Sequence, residues 1–118
     1  MTAQELATAR QYDAGIVVLV FNNGMYGTIR MHQERRFPGR ISGTTLVNPD
    51  FAALSRSFGG HGGRVERTNE FPDALRHAIE FARIERRPAM IELALDPELL
   101  SPSASISSLR AAVQKSNT

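Results

Sequence analysis

Apolar residues occur along the chain in runs and periods that predict strands alternating with helices. The run IVVLVF at Ile16–Phe21 has no polar member and is mostly β-branched, which predicts a strand over Ile16–Asn22 buried on both faces. A later run, PAMIELAL at Pro88–Leu95, carries a single charge at Glu92 and predicts the last strand. We also expect a short strand over Arg64–Glu66. Helices between strands favour an α/β fold in which a parallel sheet is flanked by helices.

Capping residues indicate where the first helices begin. Thr2 and Glu5 have the spacing of a capping box and predict a helix over Ala3–Tyr12. The tripeptide Asn48-Pro49-Asp50 predicts a second helix start, with its asparagine as the cap. Between these two, Thr28–Arg36 can form one or two helical turns.

The longest helical period lies over Phe71–Ile84, with Thr68 or Asn69 as its cap. Apolar residues at helical spacing predict its buried face: Phe71, Leu75, Ala78, Ile79 and Ala82. The final segment, Ser101–Thr118, contains six serines and predicts a loose tail with a short helix.

The composition is that of an ordinary globular chain. Its 118 residues allow one domain at most, with 42% hydrophobic and 22% charged residues. A net charge of +2 gives no reason to expect nucleic acid or a membrane as a partner. The absence of cysteine excludes disulfides and thiolate metal sites. Neither a signal peptide nor a membrane-spanning apolar run is found, which predicts a cytoplasmic protein.

Asparagine and glycine dominate the turn after the first strand, NNGMYG at Asn22–Gly27. Open α/β sheets bind ligands at the carboxyl ends of their strands. An asparagine oxygen and a backbone carbonyl suit Mg²⁺, which completes its coordination with phosphate oxygens and water. Gly24 and Gly27 let the backbone approach closely, so that amides can meet a diphosphate. The turn is therefore a candidate Mg²⁺–diphosphate site, although no acidic ligand lies nearby in the sequence.

A hairpin is the alternative interpretation of this turn, because Asn-Gly between apolar segments is a strong hairpin signal. A hairpin needs an alternating strand on its far side. The residues Met25–Glu34 show no two-residue period, so we favour a turn that leads into a helix.

The sequence gives weaker support for a functional role at other candidate sites. His32 is close enough in sequence to the turn to be a substrate contact, whereas His61 and His77 are interpreted as a loop residue and a surface residue. The sequence GGHGG at 59–63 lacks the spacing of a dinucleotide-binding motif and is interpreted as a flexible connection. A basic run is interpreted as a solvated face or subunit contact, and it contains Arg30, Arg35, Arg36 and Arg40.

The stretch FNNGMYGTIRMHQE resembles the second half of the thiamine diphosphate motif in enzymes of the acetolactate synthase and benzoylformate decarboxylase type. In that family a Gly-Asp-Gly triplet begins the motif, a helix and a buried strand follow, and an Asn-Asn pair closes it. The resemblance continues through NPDFAALSRSFGGHG and RPAMIELALDP, and covers about Met1 to Pro102.

The resemblance implies a role for each residue of the turn. It places the Asn23 side chain and the backbone carbonyl of Met25 on Mg²⁺, puts the rest of the turn close to the diphosphate, and has Asn22 hold the turn in shape. The implied cofactor-binding residues are Asn22, Asn23, Gly24, Met25, Tyr26 and Gly27. Pyruvate decarboxylases carry a catalytic glutamate at the position of Ile29, so the aliphatic residue points to another branch. No residue of this chain is implied to be catalytic.

Parts of the family pattern are missing from these residues. The Gly-Asp-Gly triplet, whose aspartate is the charged Mg²⁺ ligand, would fall just upstream of Met1, and we expect a cut N-terminus that lacks the first strand. The pyrimidine-binding domain, with the glutamate that activates the cofactor, is also missing. Residues 1–100 are therefore expected to be the C-terminal part of a Rossmann-like, three-layer thiamine diphosphate-binding domain, and residues 101–118 a serine-rich tail.

The sequence is compatible with three functions. The first is a thiamine diphosphate- and Mg²⁺-binding segment of a lyase or transferase that acts on a 2-oxo acid, working as a homo-oligomer or with a missing partner domain. The second is a non-catalytic fragment or remnant of such an enzyme, with little binding and no activity alone. The third is a small nucleic-acid-binding module built on the arginine run, against which the charge balance and the lack of an aromatic platform count.

Overall fold

The structure is a computed structural model that describes residues 2–116. The described residues form helices and strands in the following order: α1 Glu5–Gln11, β1 Val17–Asn22, α2 Gly27–Arg36, α3 Phe51–Ser57, β2 His61–Val65, α4 Phe71–Glu85, β3 Ala89–Ala94, β4 Leu99–Ser101, β5 Ala104–Ser105 and α5 Ile106–Ser116. They divide into two compact units. The first contains the described residues through Asn22 together with Asn48–Ala94, and the second contains Asn23–Val47 together with the described residues from Leu95 onward.

The first unit is built on a three-stranded parallel sheet of order β1-β3-β2. The central strand pairs with β1 from Val17 opposite Ala89 to Asn22 opposite Ala94. It pairs on its other side with β2, from His61 opposite the same Ala89. This arrangement confirms the predicted α/β fold with a parallel sheet.

Helices cover both faces of the sheet. On one face, small residues of α4 pack against β3, and the buried core there consists of Val65, Ala78, Ala82, Ala89 and Ile91. On the other face α3 lies directly on β2, since a Cβ built on Gly62 would sit 2.0 Å from the carbonyl oxygen of Ala52. Only glycine permits so close an approach of strand and helix.

That contact corrects the interpretation of GGHGG as a flexible connection. Its last three residues are the first three of β2, which begins at His61 rather than at Arg64. Glycines weaken the sequence signal of a strand because they have no side chain to pack. At Gly62 a glycine is required, because the backbone of α3 occupies the space that a side chain would fill.

The predicted strand burial is wrong for β1. Its residues are half-buried and Phe21 is 65% exposed, whereas the first four residues of β3 are buried. The reason is the position of β1 at the edge of the described sheet, while β3 lies in the centre. The prediction that Ile79 lies on the buried face of α4 is also wrong, since its side chain is 50% exposed.

Three predicted caps are wrong. The capping box of Thr2 and Glu5 does not form, since α1 begins after Gln4 without a side-chain cap and the Glu5 carboxylate accepts a hydrogen bond from Thr8. The helix α4 begins after Glu70, behind a 3₁₀ turn over Thr68–Glu70. The helix α3 is capped by Asp50, whose side chain accepts a hydrogen bond from the backbone N–H of Ala53, rather than by Asn48.

The second unit contains α2, the antiparallel pair β4–β5 and α5, which packs against α2. The prediction of helix over Thr28–Arg36 is confirmed, with α2 beginning one residue earlier. The serine-rich segment contains the helix α5, in which Ile106 is buried. Within residues 2–116, no helix has the length and apolarity to cross a membrane.

Candidate functional site

A polar network crosses the first unit near the carboxyl ends of its strands. The side-chain amide of Asn22, the last residue of β1, donates a hydrogen bond of 2.7 Å to Glu92 Oε1 on β3. Arg64 of β2 donates to the same oxygen at 2.8 Å. Glu92 is only 2% exposed, so its carboxyl group depends on these protein donors. The one charge in the apolar run PAMIELAL is therefore the centre of a network across all three strands.

Asn48 completes this network and fixes the orientation of Asn22. Its side-chain amide donates to Asn22 Oδ1 at 2.8 Å, while the nitrogen of the same Asn22 side chain donates to Glu92. Because both ends of the Asn22 amide are bonded, neither a flip nor another rotamer keeps the network intact. Asn48 was predicted as a helix cap, and its actual partner is 26 positions away, which no local pattern shows.

The rest of the asparagine- and glycine-rich turn, Asn23–Gly27, lies in the second unit. The side-chain oxygen of Asn23 accepts a hydrogen bond of 3.3 Å from the backbone N–H of Met25. Gly24 has a φ of +68°, which is the left-handed region that glycine adopts without strain. A Cβ on Gly27 would lie 2.8 Å from Asn23 Nδ2, so the asparagine amide packs directly on the glycine.

A second backbone segment holds this turn in place. The N–H of Tyr26 donates to the carbonyl of Thr44 at 2.9 Å, and the N–H of Leu46 donates to the carbonyl of Gly24 at 2.8 Å. Thr44 is 1% exposed, and its hydroxyl donates to Gln33 on α2. Sequence reasoning missed these residues because loop residues of mixed type give no periodic signal. The Asn-Gly hairpin does not form, since α2 follows the turn directly.

The turn ends at the N-terminus of α2, which has no side-chain cap. The N-cap residue is Tyr26, whose side chain makes no capping hydrogen bond, and the first intrahelical bond runs from the N–H of Arg30 to the carbonyl of Tyr26. Backbone N–H groups of a first helical turn lack intrahelical acceptors and favour an anion. Tyr26 and Ile29 are about half exposed at this end of the helix.

The three histidines and the arginines Arg36 and Arg40, which the sequence also offered as candidates, lie at the surface or against aromatic rings. His32 and His77 are exposed, and the ring of His61 lies 5.5 Å from that of Phe81. Arg36 and Arg40 place their guanidinium groups over the ring of Phe37. In the part of the chain that the structure describes, no group of three or more His, Cys, Asp or Glu side chains is arranged to hold a metal.

Arg30 corrects the interpretation of the basic run as a solvated face. It is 8% exposed and donates to the buried Glu34 one helical turn away. Glu34 also accepts hydrogen bonds from Arg110 of α5, at 2.7 and 2.8 Å, and from the N–H of Gly39. The Arg110 hydrogen bonds, reinforced by those from Gly39 and Arg30 and opposed by burial, lower the pKa of Glu34 from 4.5 to about 2.

Comparison of the chain with known proteins identifies a family to which it is similar. Residues 1–93 match the family described as thiamine pyrophosphate enzyme, C-terminal TPP binding domain. The chain is 31% identical over 98 residues to a probable acetolactate synthase large subunit of Methanocaldococcus jannaschii, covering 82% of this chain and 16% of that protein. It is 35% identical over 106 residues to a 2-hydroxyacyl-CoA lyase of Arabidopsis thaliana, covering 81% of this chain and 17% of the relative.

The fold is similar to that of a solved benzoylformate decarboxylase from Polynucleobacter necessarius, with a TM-score of 0.69 and 23% sequence identity. That alignment covers 83% of this chain and 18% of the other. The chain therefore spans less than a fifth of the length of each of these relatives. With the family match over most of its residues, the chain belongs to the thiamine pyrophosphate enzymes, as a C-terminal TPP-binding domain.

Proposed function

We propose that this chain is the thiamine diphosphate- and Mg²⁺-binding segment of an acetolactate synthase-like lyase or transferase, and that it holds the diphosphate end of the cofactor. The observation that carries this proposal is the turn Asn23–Gly27, which is bonded to itself and leads directly into an uncapped helix N-terminus. The backbone amides there suit a diphosphate, because the helix dipole favours negative charge at that end.

The residues of the turn fit the neutral part of a magnesium site. Asn23 Oδ1 and the backbone oxygen of Met25 are hard oxygen ligands of the type that Mg²⁺ accepts. Asn23 Oδ1 already accepts a hydrogen bond from the N–H of Met25, and this bond orients the oxygen while leaving it a second lone pair. Within the described residues no acidic cluster accompanies the turn, so we expect the diphosphate oxygens to bring the negative charge.

Gly24 and Gly27 support the proposal through the space that they leave. The positive φ of Gly24 turns the backbone sharply after Asn23. The missing side chain of Gly27 makes room for the Asn23 amide and for the approach of a phosphate group. Tyr26 contributes a half-exposed side chain to the proposed site at the start of α2. The Asn22 side chain is held in the first unit by hydrogen bonds with Glu92 and Asn48.

When bound, thiamine diphosphate supplies a nucleophilic carbon and an electron sink for reactions of 2-oxo acids. The role of this chain is to bind and orient the diphosphate. We infer that the rest of the cofactor site comes from a partner domain or from another subunit of a homo-oligomer. A cytoplasmic location remains a prediction.

The alternative is a non-catalytic fragment that binds little by itself. Within the described residues no group of three or more His, Cys, Asp or Glu side chains accompanies the turn, which favours this alternative, because two neutral oxygens offset little of the cost of dehydrating Mg²⁺. We therefore expect the isolated chain to bind the cofactor weakly and to turn over no 2-oxo acid.

Calorimetric titration of the chain with thiamine diphosphate, with and without Mg²⁺, tests both functions. Binding that saturates and requires both Mg²⁺ and the diphosphate supports the segment proposal, because the fragment alternative predicts little binding or none. Tight one-to-one binding overturns the fragment alternative, and no binding at millimolar cofactor overturns the segment proposal. Titration with thiamine, which lacks the diphosphate, is the matched control and should give no heat.

A further inference from the structure

The side chain of Gln33, on α2, is bonded through both ends of its amide to one loop, residues 42–46, which we call the bracing loop. Its nitrogen Nε2 donates a hydrogen bond of 2.6 Å to the carbonyl of Ser42, and its oxygen Oε1 accepts one of 3.3 Å from the hydroxyl of Thr44. Because the donor and the acceptor of the amide are both used, a single orientation of the side chain satisfies them. Gln33 thereby fixes the bracing loop to the helix at two points.

The bracing loop pairs in turn with the proposed diphosphate site. Its Thr44 carbonyl accepts a hydrogen bond of 2.9 Å from the N–H of Tyr26, and its Leu46 N–H donates one of 2.8 Å to the carbonyl of Gly24. An isolated antiparallel bridge between the two segments lies at Met25, between these two bonds. The loop therefore holds three consecutive residues of the turn, including the one whose carbonyl is proposed to bind Mg²⁺.

The position of the bracing loop depends on side-chain contacts, because its residues belong to no helix and no strand. Gly43, between the two points of attachment, has a φ of +64°, so the backbone bends there. Thr44 is 1% exposed, and loss of its acceptor on Gln33 would leave a buried hydroxyl without that partner. Glu34 accepts a hydrogen bond from the N–H of Gly39, which holds the connection only before the bracing loop begins.

We propose that Gln33 is a positioning residue for the diphosphate site: it holds the bracing loop where the loop pairs with the turn, and so presents Asn23 and the carbonyl of Met25 to Mg²⁺ in a fixed arrangement. This inference rests on the proposed function and extends it to a side chain that acts through the loop. A turn that is ordered before the cofactor arrives loses less conformational entropy on binding, and its affinity is higher for that reason.

Two variants of the full chain remove these hydrogen bonds in different ways. Gln33→Met keeps the length of the side chain and loses both bonds, whereas Thr44→Val loses the hydroxyl and keeps the backbone carbonyl that accepts from Tyr26. Thr44→Ser retains the hydroxyl and is the conservative variant. Gln11→Met, at the exposed last residue of α1, is the matched control.

Amide hydrogen exchange without cofactor reports on the N–H groups of Tyr26 and Leu46, which bond between the turn and the bracing loop. In Gln33→Met we expect about tenfold faster exchange at both groups, with the amides of β1 and β3 unchanged. The affinity for Mg²⁺–thiamine diphosphate, measured by calorimetry, should fall about fivefold, because the turn must then be ordered during binding.

The other variants grade the effect. Thr44→Val should lie between Gln33→Met and the wild type, since the bond from Gln33 to Ser42 remains. Thr44→Ser should restore both exchange and affinity to the wild-type values, and Gln11→Met should leave both unchanged.

Unchanged exchange at Tyr26 and Leu46 in both Gln33→Met and Thr44→Val overturns the proposal. Faster exchange throughout the chain also overturns it, because it shows a general role in folding. Faster exchange at those two amides with unchanged cofactor affinity overturns the role of Gln33 at the site and leaves the proposed function standing. Absence of binding by the wild-type chain contradicts the proposed function itself, and the positioning role with it.

Discussion

The side-chain amide of Asn22 donates a 2.7 Å hydrogen bond to the carboxyl group of Glu92, a residue of the central strand that is 2% exposed. The same carboxyl oxygen accepts a hydrogen bond from Arg64. A carboxyl group buried in a sheet is costly unless donors surround it. Asn22 therefore stabilises Glu92, and Glu92 fixes the orientation of Asn22.

Replacing Glu92 with alanine should lower the free energy of unfolding by about 1–3 kcal/mol, because the Asn22 amide loses an acceptor inside the protein. Urea unfolding at neutral pH measures this effect. Glu80→Ala, on the exposed side of α4, is the matched control and should change stability by no more than about 0.5 kcal/mol. Equal effects of the two substitutions would show that the Glu92 network contributes nothing to stability.

Two neighbouring glycines of β2 should respond differently to alanine. A Cβ on Gly62 would lie 2.0 Å from the backbone oxygen of Ala52, so Gly62→Ala must push α3 away from the sheet. We expect a loss of about 3 kcal/mol or more, at or above the upper end for overpacking a core. At Gly63 the closest contact of a Cβ is 3.6 Å, to the ring of His61, so Gly63→Ala should be tolerated. Similar thermal unfolding of both variants would contradict the described packing of α3 on β2.

The depressed pKa of Glu34 predicts a pH-dependent contribution to stability. Because the pKa is about 2 in the folded chain and 4.5 ordinarily, the contribution is complete above pH 4.5 and is lost as the pH falls towards 2. Wild type should therefore be more stable than Glu34→Gln at pH 7, and the difference should shrink below pH 4.5. Urea unfolding of both proteins across this range is the measurement, and a difference that stays constant with pH would contradict the ion-paired state of Glu34.

Substitution of Asn23 tests its proposed role as a Mg²⁺ ligand. We expect Asn23→Ala to lower the Mg²⁺-dependent affinity for thiamine diphosphate about tenfold, the size of effect usual for groups that orient or complete a metal site. Asn69→Ala, at an exposed asparagine of the 3₁₀ turn, should leave the affinity unchanged. Removal of Mg²⁺ by a chelator should reduce binding by the wild type at least as far as Asn23→Ala does. Loss of affinity in both variants alike would point to a general effect on folding rather than to the site.

Local patterns predicted the elements of this fold better than the contacts between them. The apolar run before Asn22 and the helical period of α4 each specify one element by its own residues, and both elements are present. The burial of β1 depends on which strands lie beside it in the sheet. The sequence of one strand does not contain that information. The short strand predicted over Arg64–Glu66 is present as β2, but its start at His61 was missed. Gly62 has no side chain because α3 packs on it, and no sequence period records such a tertiary contact.

In the candidate site, too, local residue types were predictive and contacts between distant residues were not. The residues Asn23–Gly27 were predicted as a candidate site from their types, since glycine indicates the backbone conformation and asparagine the hydrogen bonds of its amide, and their role stays a prediction. Their supports were not identified, because Thr44 and Leu46 act through backbone groups that every residue carries. Glu34 and Arg110 are 76 positions apart, and neither has a local signal for the other.

Mapping where the cofactor contacts the chain tests the proposed diphosphate site directly. Amide resonances of ¹⁵N-labelled protein would be followed by NMR during titration with thiamine diphosphate and Mg²⁺, which detects even millimolar binding. We expect shifts concentrated in Asn23–Ile29 that require Mg²⁺ and are absent with thiamine. Shifts centred elsewhere, or none at saturating cofactor, would contradict the assignment of this turn as the diphosphate site.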